Sequence, residues 1–328
     1  MIYKMIYNPI DYICGTARRV FMRSILERMQ GETMEFMLDD ILNVKSTEDP
    51  EAKFEVQELL NNPYMNRSEV PLAMDIFKPI VPEDQELPVI VIIHGGGLVI
   101  GDRKISRRFA NVLARRGYLV FSIEYRLAPR ANSAQQLDDI CAGMDFVGQR
   151  LVDFNVDFTR MFLFAESAGA YLAIYVAAMK DSKALQDAIG YEPTHMRFKA
   201  LGLISGMYYT NLPDPIGLLL AEQFYGDKMT DPKFHQYMDP ENPEIVNNLP
   251  PVYFITSRGD FLNNYTIMYH NALKKSGKKT HMVYYGENEL SHSFMCIWPD
   301  LEQSRNAIDR MIAWFEKQAD IARRVSAQ

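Results

Sequence analysis

A strand-to-helix corner at Ser167 constrains this chain more than any other stretch. The apolar run at 161–165 predicts a buried strand, and the small and apolar residues from Ala168 onward predict a helix packed on a sheet. Almost no residues remain between the two for a turn, so we expect Ser167 to have a strained backbone. Ala165 and Gly169 are the small neighbours that such a corner requires, although the usual pattern, G-x-S-x-G, begins with glycine. The corner therefore predicts an exposed serine nucleophile.

Strand-like and helix-like segments alternate on both sides of this corner. Continuous apolar runs predict strands at 70–77, 89–93, 118–123, 161–165, 200–204, 252–256 and 280–285. Helical spacing predicts helices at 109–116, 133–151, 263–275 and 301–324, the second opened by the capping-box pattern from Ser133 to Gln136. The alternation predicts an α/β fold with a mostly parallel sheet flanked by helices. In such sheets, ligands bind at the carboxyl ends of the strands.

Two regions depart from the alternation and predict a helical cap. Apolar residues recur at helical spacing from Tyr12 to about Leu60, which predicts an N-terminal helical segment over 1–65. Several prolines interrupt the pattern at 206–248, which predicts an insertion over the strand ends. We therefore expect a cap segment at 1–65, then a catalytic domain at 66–328 that carries the insertion.

Composition excludes several classes of partner and site. The net charge of −7, without a dense run of basic residues, argues against nucleic acid and anionic membranes as partners. Cys14, Cys141 and Cys296 are too few and too scattered for a disulfide framework or a zinc site. No apolar segment approaches the length of a membrane span, and the N-terminus lacks the pattern of a signal peptide. We expect a soluble, cytoplasmic protein.

A serine hydroxyl needs a base to remove its proton, and the base needs a carboxylate to orient it. His292 is the best base among the histidines, because it lies in a polar loop just after the last predicted strand. Asp260 follows the preceding strand in the same way. The sequence thus predicts a Ser167, Asp260 and His292 triad.

A glycine run directly after the 89–93 strand predicts donors for an oxyanion. Gly95, Gly96 and Gly97 allow the backbone to curl so that successive amides point at one spot, and the Ala168 amide would complete the site. A tight turn without this role is the alternative. A phosphate loop would end in Gly-Lys-Ser/Thr and lead at once into a helix, and neither feature is present.

These motifs together resemble those of the hormone-sensitive-lipase-like bacterial carboxylesterases, which belong to the α/β-hydrolase superfamily. They are His94-Gly-Gly-Gly with Gly101-Asp102, Tyr125-Arg-Leu-Ala-Pro129, Glu166-Ser-Ala-Gly169, Leu249-Pro-Pro, Asp260 and His292-Ser-Phe294. The resemblance implies a sheet of about eight strands with a helical cap. It implies a catalytic triad of Ser167, Asp260 and His292, oxyanion donors at Gly96, Gly97 and Ala168, and a role for His94 in shaping the loop.

The chain departs from this family at several positions near the site. Ala165-Glu166 stands where the family usually has Gly-Asp, and Phe261-Leu-Asn-Asn stands where Pro-Leu-Arg-Asp is usual. These changes affect the expected substrate preference more than the reaction. The residues that we expect to contribute to the substrate pocket are Leu98, Glu166, Met207, Tyr208 and Phe294.

The sequence therefore predicts a serine carboxylesterase that hydrolyses short- to medium-chain acyl esters through a covalent acyl-enzyme, with no metal or organic cofactor. An amidase or peptidase with the same triad remains an alternative, as does a non-catalytic small-molecule receptor on the same fold. Receptors of that kind tend to lack the histidine, whereas His292 is present. The apolar faces of the N-terminal helices also leave a homodimer open.

Overall fold

The computed structural model of the chain describes residues 49–67, 70–191 and 196–326. The amphipathic helices expected before residue 49 lie outside the described residues. Within the described ranges, no helix combines the length and the apolar character that a bilayer crossing requires.

One eight-stranded sheet organises the described part of the chain, in the order β1-β2-β4-β3-β5-β6-β7-β8. The strands are β1 (Val56–Arg67), β2 (Val70–Pro79), β3 (Leu87–Ile93), β4 (Leu119–Ile123), β5 (Val156–Glu166), β6 (Ala200–Ile204), β7 (Val252–Ser257) and β8 (Thr280–Tyr285). The pairings among β3 to β8 are parallel, whereas β1 and β2 are antiparallel to their neighbours. The mostly parallel sheet predicted from the apolar runs is confirmed.

Helices connect the parallel strands and cover both faces of the sheet. They are α1 (Arg107–Arg115), α2 (Ser133–Arg150), α3 (Ser167–Met179), α4 (Lys183–Ile189), α5 (Pro215–Tyr225), α6 (Pro243–Val246), α7 (Asn263–Lys275), α8 (Phe294–Ile297) and α9 (Glu302–Ser326). Short 3-10 helices lie at Arg103–Ser106, Leu151–Asp153, Gly226–Met229 and His235–Met238. Every residue of β3, β4, β6 and β7 is buried, as expected for strands covered on both sides.

Two apolar cores lie on opposite faces of the sheet. One contains the buried residues of α2 and α3, and the other contains those of α1 and α9. Alternate residues of β3 divide between them: Val91 lies in the first core, and Ile90 and Ile92 lie in the second. The two cores fix the sheet rigidly between its helices, so the loops at the strand ends are held in defined positions.

The predicted N-terminal helical segment is wrong at its C-terminal end, because residues 56–60 belong to strand β1. This strand continues through Asn61 and Pro63, residue types that are uncommon inside strands. The pairing with β2 shifts register between Leu59 and Asn62, and again between Pro63 and Met65. Such irregularities, on a strand at the edge of the sheet, accommodate the turn-forming residues. Pairing with β2 thus overrides the local helical pattern.

The cap of α2 lies one residue before the predicted position. Asn132 is the N-cap residue; its side chain accepts a hydrogen bond from the Gln135 amide, and the Gln135 side chain accepts one from the Asn132 amide. Ser133 is instead the first helical residue. Both Asn132-x-x-Gln135 and Ser133-x-x-Gln136 satisfy the capping-box pattern, so the pattern alone does not fix the register.

The insertion predicted at 206–248 contains α5, α6 and two of the 3-10 helices. Its aromatic residues pack into the core beside α3: the Tyr171 hydroxyl donates to the Tyr225 hydroxyl over 3.3 Å, and the Tyr175 hydroxyl donates to the Tyr237 carbonyl. These contacts attach the insertion to the helix that begins at Ser167.

Candidate active site

Ser167 lies at the corner between β5 and α3, with no residue between the two elements. Its φ is 51°, in the left-handed region that non-glycine residues seldom adopt. The corner is close-packed: a Cβ on Gly169 would lie 2.3 Å from the Ile93 carbonyl oxygen and 2.5 Å from that of His94. A glycine at 169 therefore lets β3 approach the start of α3, and Ser167 bears the strain of the turn.

The structure brings Ser167, His292 and Asp260 into one hydrogen-bonded chain. His292 Nε2 lies 2.9 Å from Ser167 Oγ, and His292 Nδ1 lies 2.7 Å from Asp260 Oδ1. The Asp260 side chain is fully buried, whereas 20% of the His292 side chain is exposed. In the tautomer whose Nδ1 donates to the carboxylate, Nε2 presents a lone pair to the serine hydroxyl. This arrangement can accept the serine proton.

Asp260 is held by more groups than His292 alone. Its Oδ1 also accepts from the Leu262 amide over 2.9 Å, and its Oδ2 accepts from Thr256 Oγ1 over 2.8 Å. Burial by itself raises the pKa of Asp260, but the hydrogen bond and charge of His292, with bonds from Leu262 and Ser205, outweigh it and hold the pKa below its ordinary value. The carboxylate therefore stays ionised beside His292.

The loops that carry Asp260 and His292 are in direct contact at the end of the sheet. Gly259 forms a parallel bridge with Ser291, and a Cβ on Gly259 would lie 2.2 Å from the Asn288 carbonyl oxygen. The Ser257 hydroxyl donates to the Leu290 carbonyl oxygen over 2.5 Å. Gly259 thus allows the close approach that brings the acid within reach of the imidazole.

The glycine loop after β3 contains two amides that are not used by the fold. Gly96 and Gly97 have φ values of 108° and 63°, which favour glycine. Neither amide has a protein acceptor within the described ranges. Ala168 is the second residue of α3, where an amide has no partner within its own helix. These three amides are therefore available to donate to another group.

The Gly95 amide differs from this expectation, because it donates to Glu166 Oε1 over 3.4 Å. Gly95 lies against the nucleophile, and a Cβ there would lie 3.1 Å from Ser167 Cβ. This contact differs from the expected role of Gly95 as an oxyanion donor. The physical reason is that the amides of a curled loop point in different directions. The Gly95 amide meets the buried carboxylate of Glu166 on β5, the strand that pairs with β3.

The His94 and Tyr125 side chains stabilise the glycine loop. The His94 ring is stacked on the Tyr125 ring with centroids 4.3 Å apart, and its Nδ1 lies 2.7 Å from the Gly95 carbonyl oxygen. The Tyr125 hydroxyl donates to the His94 carbonyl oxygen over 2.9 Å. Burial lowers the pKa of His94 to about 4, more than the Gly95 contact and the charge of Asp102 raise it. His94 is therefore a neutral structural group.

Four of the five expected pocket residues fall into three groups. Met207 lies beside the nucleophile, since its amide donates to the Ser167 carbonyl oxygen over 2.9 Å. Leu98 and Tyr208 are fully buried; Tyr208 is stacked on Tyr269 at 4.5 Å. Glu166 is also buried and binds Gly95, so it supports the loop.

Phe294, the fifth expected pocket residue, lies in the core on the other face of the sheet. It starts the short helix α8 and lies fully buried in the core formed with α1 and α9. Its ring packs edge-on against Tyr285, with centroids 5.3 Å apart. Ser293 has a φ of 55°, and this left-handed residue turns the chain away from His292 and down toward the other face of the sheet.

Sequence reasoning missed two residues that contact the triad. Ser205 follows β6, accepts a 3.0 Å hydrogen bond from the Ser293 amide, and helps to lower the pKa of Asp260 by a hydrogen bond, after the burial and His292 contributions. The Phe261 ring lies 4.4 Å from the His292 ring. The only sequence signal for each residue was its position. Ser205 comes directly after a predicted strand, and Phe261 comes directly after Asp260.

Comparison with known proteins gives a consistent result. The profile of a family described as alpha/beta hydrolase fold matches residues 90–296. Tuliposide A-converting enzyme 1, chloroplastic, of Tulipa gesneriana is 27% identical over 226 residues, which is 63% of this chain and 54% of the relative. A probable isoprenylcysteine alpha-carbonyl methylesterase of Oryza sativa subsp. japonica is 25% identical over 224 residues, 65% of this chain and 53% of the relative.

A similar architecture is present in esterase B from Lactobacillus rhamnosis, solved with a C4-C4 SN3 tributyrin phosphonate inhibitor. The two structures align with a TM-score of 0.82 at 19% sequence identity, over 93% of this chain and 98% of the other. At that identity the likeness shows the fold. The chain spans about half the length of the curated relatives that it matches.

Proposed function

Because the chain belongs to the alpha/beta hydrolase fold family, as its motifs predicted, we propose that it is a serine carboxylesterase. The observation that carries the proposal is the hydrogen-bonded chain from Ser167 Oγ through His292 to the buried Asp260. The relatives are named as a tuliposide-converting enzyme and a methylesterase, which supports an ester as the substrate.

The geometry supports a covalent acyl-enzyme mechanism. His292 Nε2 takes the Ser167 proton while Oγ attacks the ester carbonyl carbon, and Asp260 stabilises the imidazolium that forms. The amides of Gly96, Gly97 and Ala168 would donate to the oxyanion. His292 then gives the proton to the leaving alcohol. Water, activated by the same imidazole, attacks the acyl group and regenerates Ser167.

We infer short- to medium-chain acyl groups as the substrates. Met207 lies directly beside Ser167, so the acyl chain would meet the insertion close to the reacting carbon. The tributyrin phosphonate bound to esterase B suggests butyrate as the first acyl group to test. We also propose that the 206–248 insertion and the N-terminal segment form a cap over the strand ends. Because β1 pairs with β2 in the sheet, we place the start of the catalytic domain before β1 rather than at the expected residue 66.

The direct test is activity and active-site labelling. The wild-type protein should hydrolyse p-nitrophenyl butyrate and react covalently with a fluorophosphonate probe, and Ser167→Ala should lose both properties. Ser276→Ala, at an exposed serine after α7, is the matched control and should behave as wild type. Undiminished turnover by Ser167→Ala would overturn the assignment.

The same assays separate the alternatives. An amidase or peptidase would cleave a butyryl anilide as readily as the matched butyryl ester. A receptor without turnover would not react with the probe, and the 2.9 Å contact between His292 and Ser167 argues against that function.

For the cellular setting we propose a cytoplasmic protein without nucleic acid, membrane or cofactor partners. Size-exclusion chromatography with light scattering would test for a homodimer.

A further inference from the structure

Thr256 contacts the carboxylate oxygen of the proposed acid that does not contact the base. Its Oγ1 lies 2.8 Å from Asp260 Oδ2, whereas His292 Nδ1 and the Leu262 amide contact Oδ1. The side chains of Thr256 and Asp260 are both buried. Because an ionised carboxylate only accepts hydrogen bonds, the Thr256 hydroxyl is the donor. The two oxygens of the acid are therefore held by different parts of the chain.

The sheet fixes the position of the Thr256 hydroxyl. Thr256 lies in β7, and its backbone pairs with Tyr284 of β8. The alternation of the strand places it on the same face as Phe254, which lies in the core that contains α2 and α3. The Asp260 amide donates to the Ser257 carbonyl oxygen over 3.3 Å, which folds the chain back after the strand. This turn brings the carboxylate to the hydroxyl.

The strand itself does not need the Thr256 hydroxyl. Strand pairing uses only the backbone, and within the described ranges Oγ1 has Asp260 as its one hydrogen-bond partner. Valine has a similar shape and is as well suited to a buried strand. The contact with Asp260 therefore accounts for a hydroxyl at this position.

The contact with Oδ2 restricts a rotation that would misplace the base. The terminal torsion of an aspartate side chain has a broad energy profile, so bonds to one oxygen leave the plane of the carboxylate loosely defined. The bond from Thr256 to the second oxygen holds that plane. His292 Nδ1 then meets Oδ1 in one direction, and Nε2 is directed at Ser167 Oγ. Orientation of the imidazole thus depends on a hydroxyl that is not bonded to it.

We propose that Thr256 is a positioning residue: its hydroxyl fixes the plane of the Asp260 carboxylate and, through it, the orientation of the His292 imidazole. The inference rests on the proposed esterase function and adds to it a group that aligns the triad. No covalent step involves Thr256. Its loss therefore slows the steps that use the base and has little effect on substrate binding.

The test compares variants that keep or remove the hydroxyl. Thr256→Val replaces it with a methyl group and should lower kcat for p-nitrophenyl butyrate about tenfold with little change in KM, because the lost bond goes to a charged group. Thr256→Ser keeps the hydroxyl and should retain most of the rate. Thr256→Cys has only the weak donor of a thiol and should also lose rate, so it replaces Thr256→Val if that variant does not fold. Thermal unfolding shows which variants are folded.

Thr266→Val is the matched control. Thr266 is also a fully buried threonine, but it lies in α7, and its Oγ1 has no hydrogen-bond partner among the described residues. Its replacement should leave kcat and KM unchanged.

Proton NMR gives a second measurement, which reports on the positioned atoms. A proton held in a short bond between imidazole Nδ1 and a carboxylate has a far-downfield resonance, and His292→Ala identifies that resonance by its absence. In Thr256→Val the resonance should move upfield or broaden through faster exchange with water. In Thr256→Ser and Thr266→Val it should match that of the wild-type protein. A change in folding stability alone would not move it.

The possible results are distinct. A lower kcat and a changed resonance in Thr256→Val, both restored in Thr256→Ser, support the proposal. An unchanged kcat in Thr256→Val would overturn it, as would an equal loss in Thr256→Ser or Thr266→Val, or a loss without a change in the resonance. If the wild-type protein neither hydrolyses the ester nor reacts with a fluorophosphonate, the esterase function itself has failed, and the resonance alone then decides whether Thr256 positions His292.

Discussion

The Gly95 amide donates to Glu166 Oε1 over 3.4 Å, so the residue before the proposed nucleophile holds the loop of the proposed oxyanion donors. Gly95 is next to Gly96 in the chain, and a change in this bond shifts the Gly96 amide relative to Ser167. The stability of the donor loop therefore depends on a carboxylate that does not itself contact the reacting atoms.

The first prediction concerns this bond. Glu166→Ala removes the acceptor and leaves the buried Gly95 amide without a partner. A hydrogen bond to a charged group contributes about 1.5–3 kcal/mol, and this long one belongs at the weak end, so we expect kcat for p-nitrophenyl butyrate to fall about tenfold. Glu166→Gln keeps an acceptor oxygen and should retain most of the rate. Steady-state kinetics with both variants checks the prediction, and equal rates for the two would contradict it.

The second prediction concerns packing at the corner. Gly169→Ala places a methyl group 2.3 Å from the Ile93 carbonyl oxygen, and backbone atoms on both sides prevent easy relief. We expect a loss of about 3 kcal/mol in the free energy of unfolding, together with loss of activity. Gly148→Ala in α2 has no atom within 4 Å of the new methyl group and should be neutral or stabilising by up to about 1 kcal/mol. Urea unfolding of both variants measures the difference.

The third prediction concerns pH and the buried His94. Its pKa in the folded protein is about 4, against an ordinary value of 6.5. Between these values the unfolded chain binds a proton that the folded chain does not, so stability falls as the pH is lowered from 6.5 to 4. The shift corresponds to about 3 kcal/mol at about 1.4 kcal/mol per pKa unit.

His94→Asn should remove this part of the pH dependence. The free energy of unfolding, measured from pH 4 to pH 7, should rise less steeply with pH in the variant than in the wild-type protein. The variant will also be less stable at pH 7, because the ring contact with Tyr125 is lost. Parallel curves for the two proteins would show that His94 does not titrate as stated.

The fourth prediction concerns Ser205, which joins the acid to the loop of the base. Its hydroxyl accepts from the Ser293 amide over 3.0 Å and stabilises the ionised Asp260. Ser205→Ala should raise the pKa of Asp260 and lower kcat about tenfold, with little change in KM. Ser304→Ala is the control: Ser304 is also fully buried, but it lies in α9, and its hydroxyl has no hydrogen-bond partner among the described residues. The pH profile of kcat for Ser205→Ala should lose activity at a higher pH on its acid side.

Much of the sheet could be predicted because its strands are continuous apolar runs. β6 and β8 have the predicted limits, and β7 extends one residue beyond them. β1 could not be predicted, since Val56–Arg67 contains Asn61 and Pro63 and is formed by pairing with β2 rather than by its own pattern. Local patterns identify buried strands well, and edge strands poorly.

The candidate site could also be predicted only in part. Ser167, Asp260 and His292 could be found because each follows a predicted strand, and the ends of parallel strands meet at one edge. The directions of individual groups could not be found in this way. The Gly95 amide points to Glu166, and Phe294 turns into the opposite core, because left-handed residues such as Gly96 and Ser293 redirect the chain within a single step.

The position of β8 at the edge of the sheet has a further consequence. Ser167 and His292 are 125 residues apart in the chain, and the loop with His292 is attached to a strand that pairs only with β7 within the described part of the chain. Edge strands open more readily than central ones. Fraying of β8 would separate the base from the serine while the rest of the sheet stays folded. In mild denaturant, activity is therefore expected to disappear before the global unfolding transition, and amide exchange in β8 should be faster than in β3.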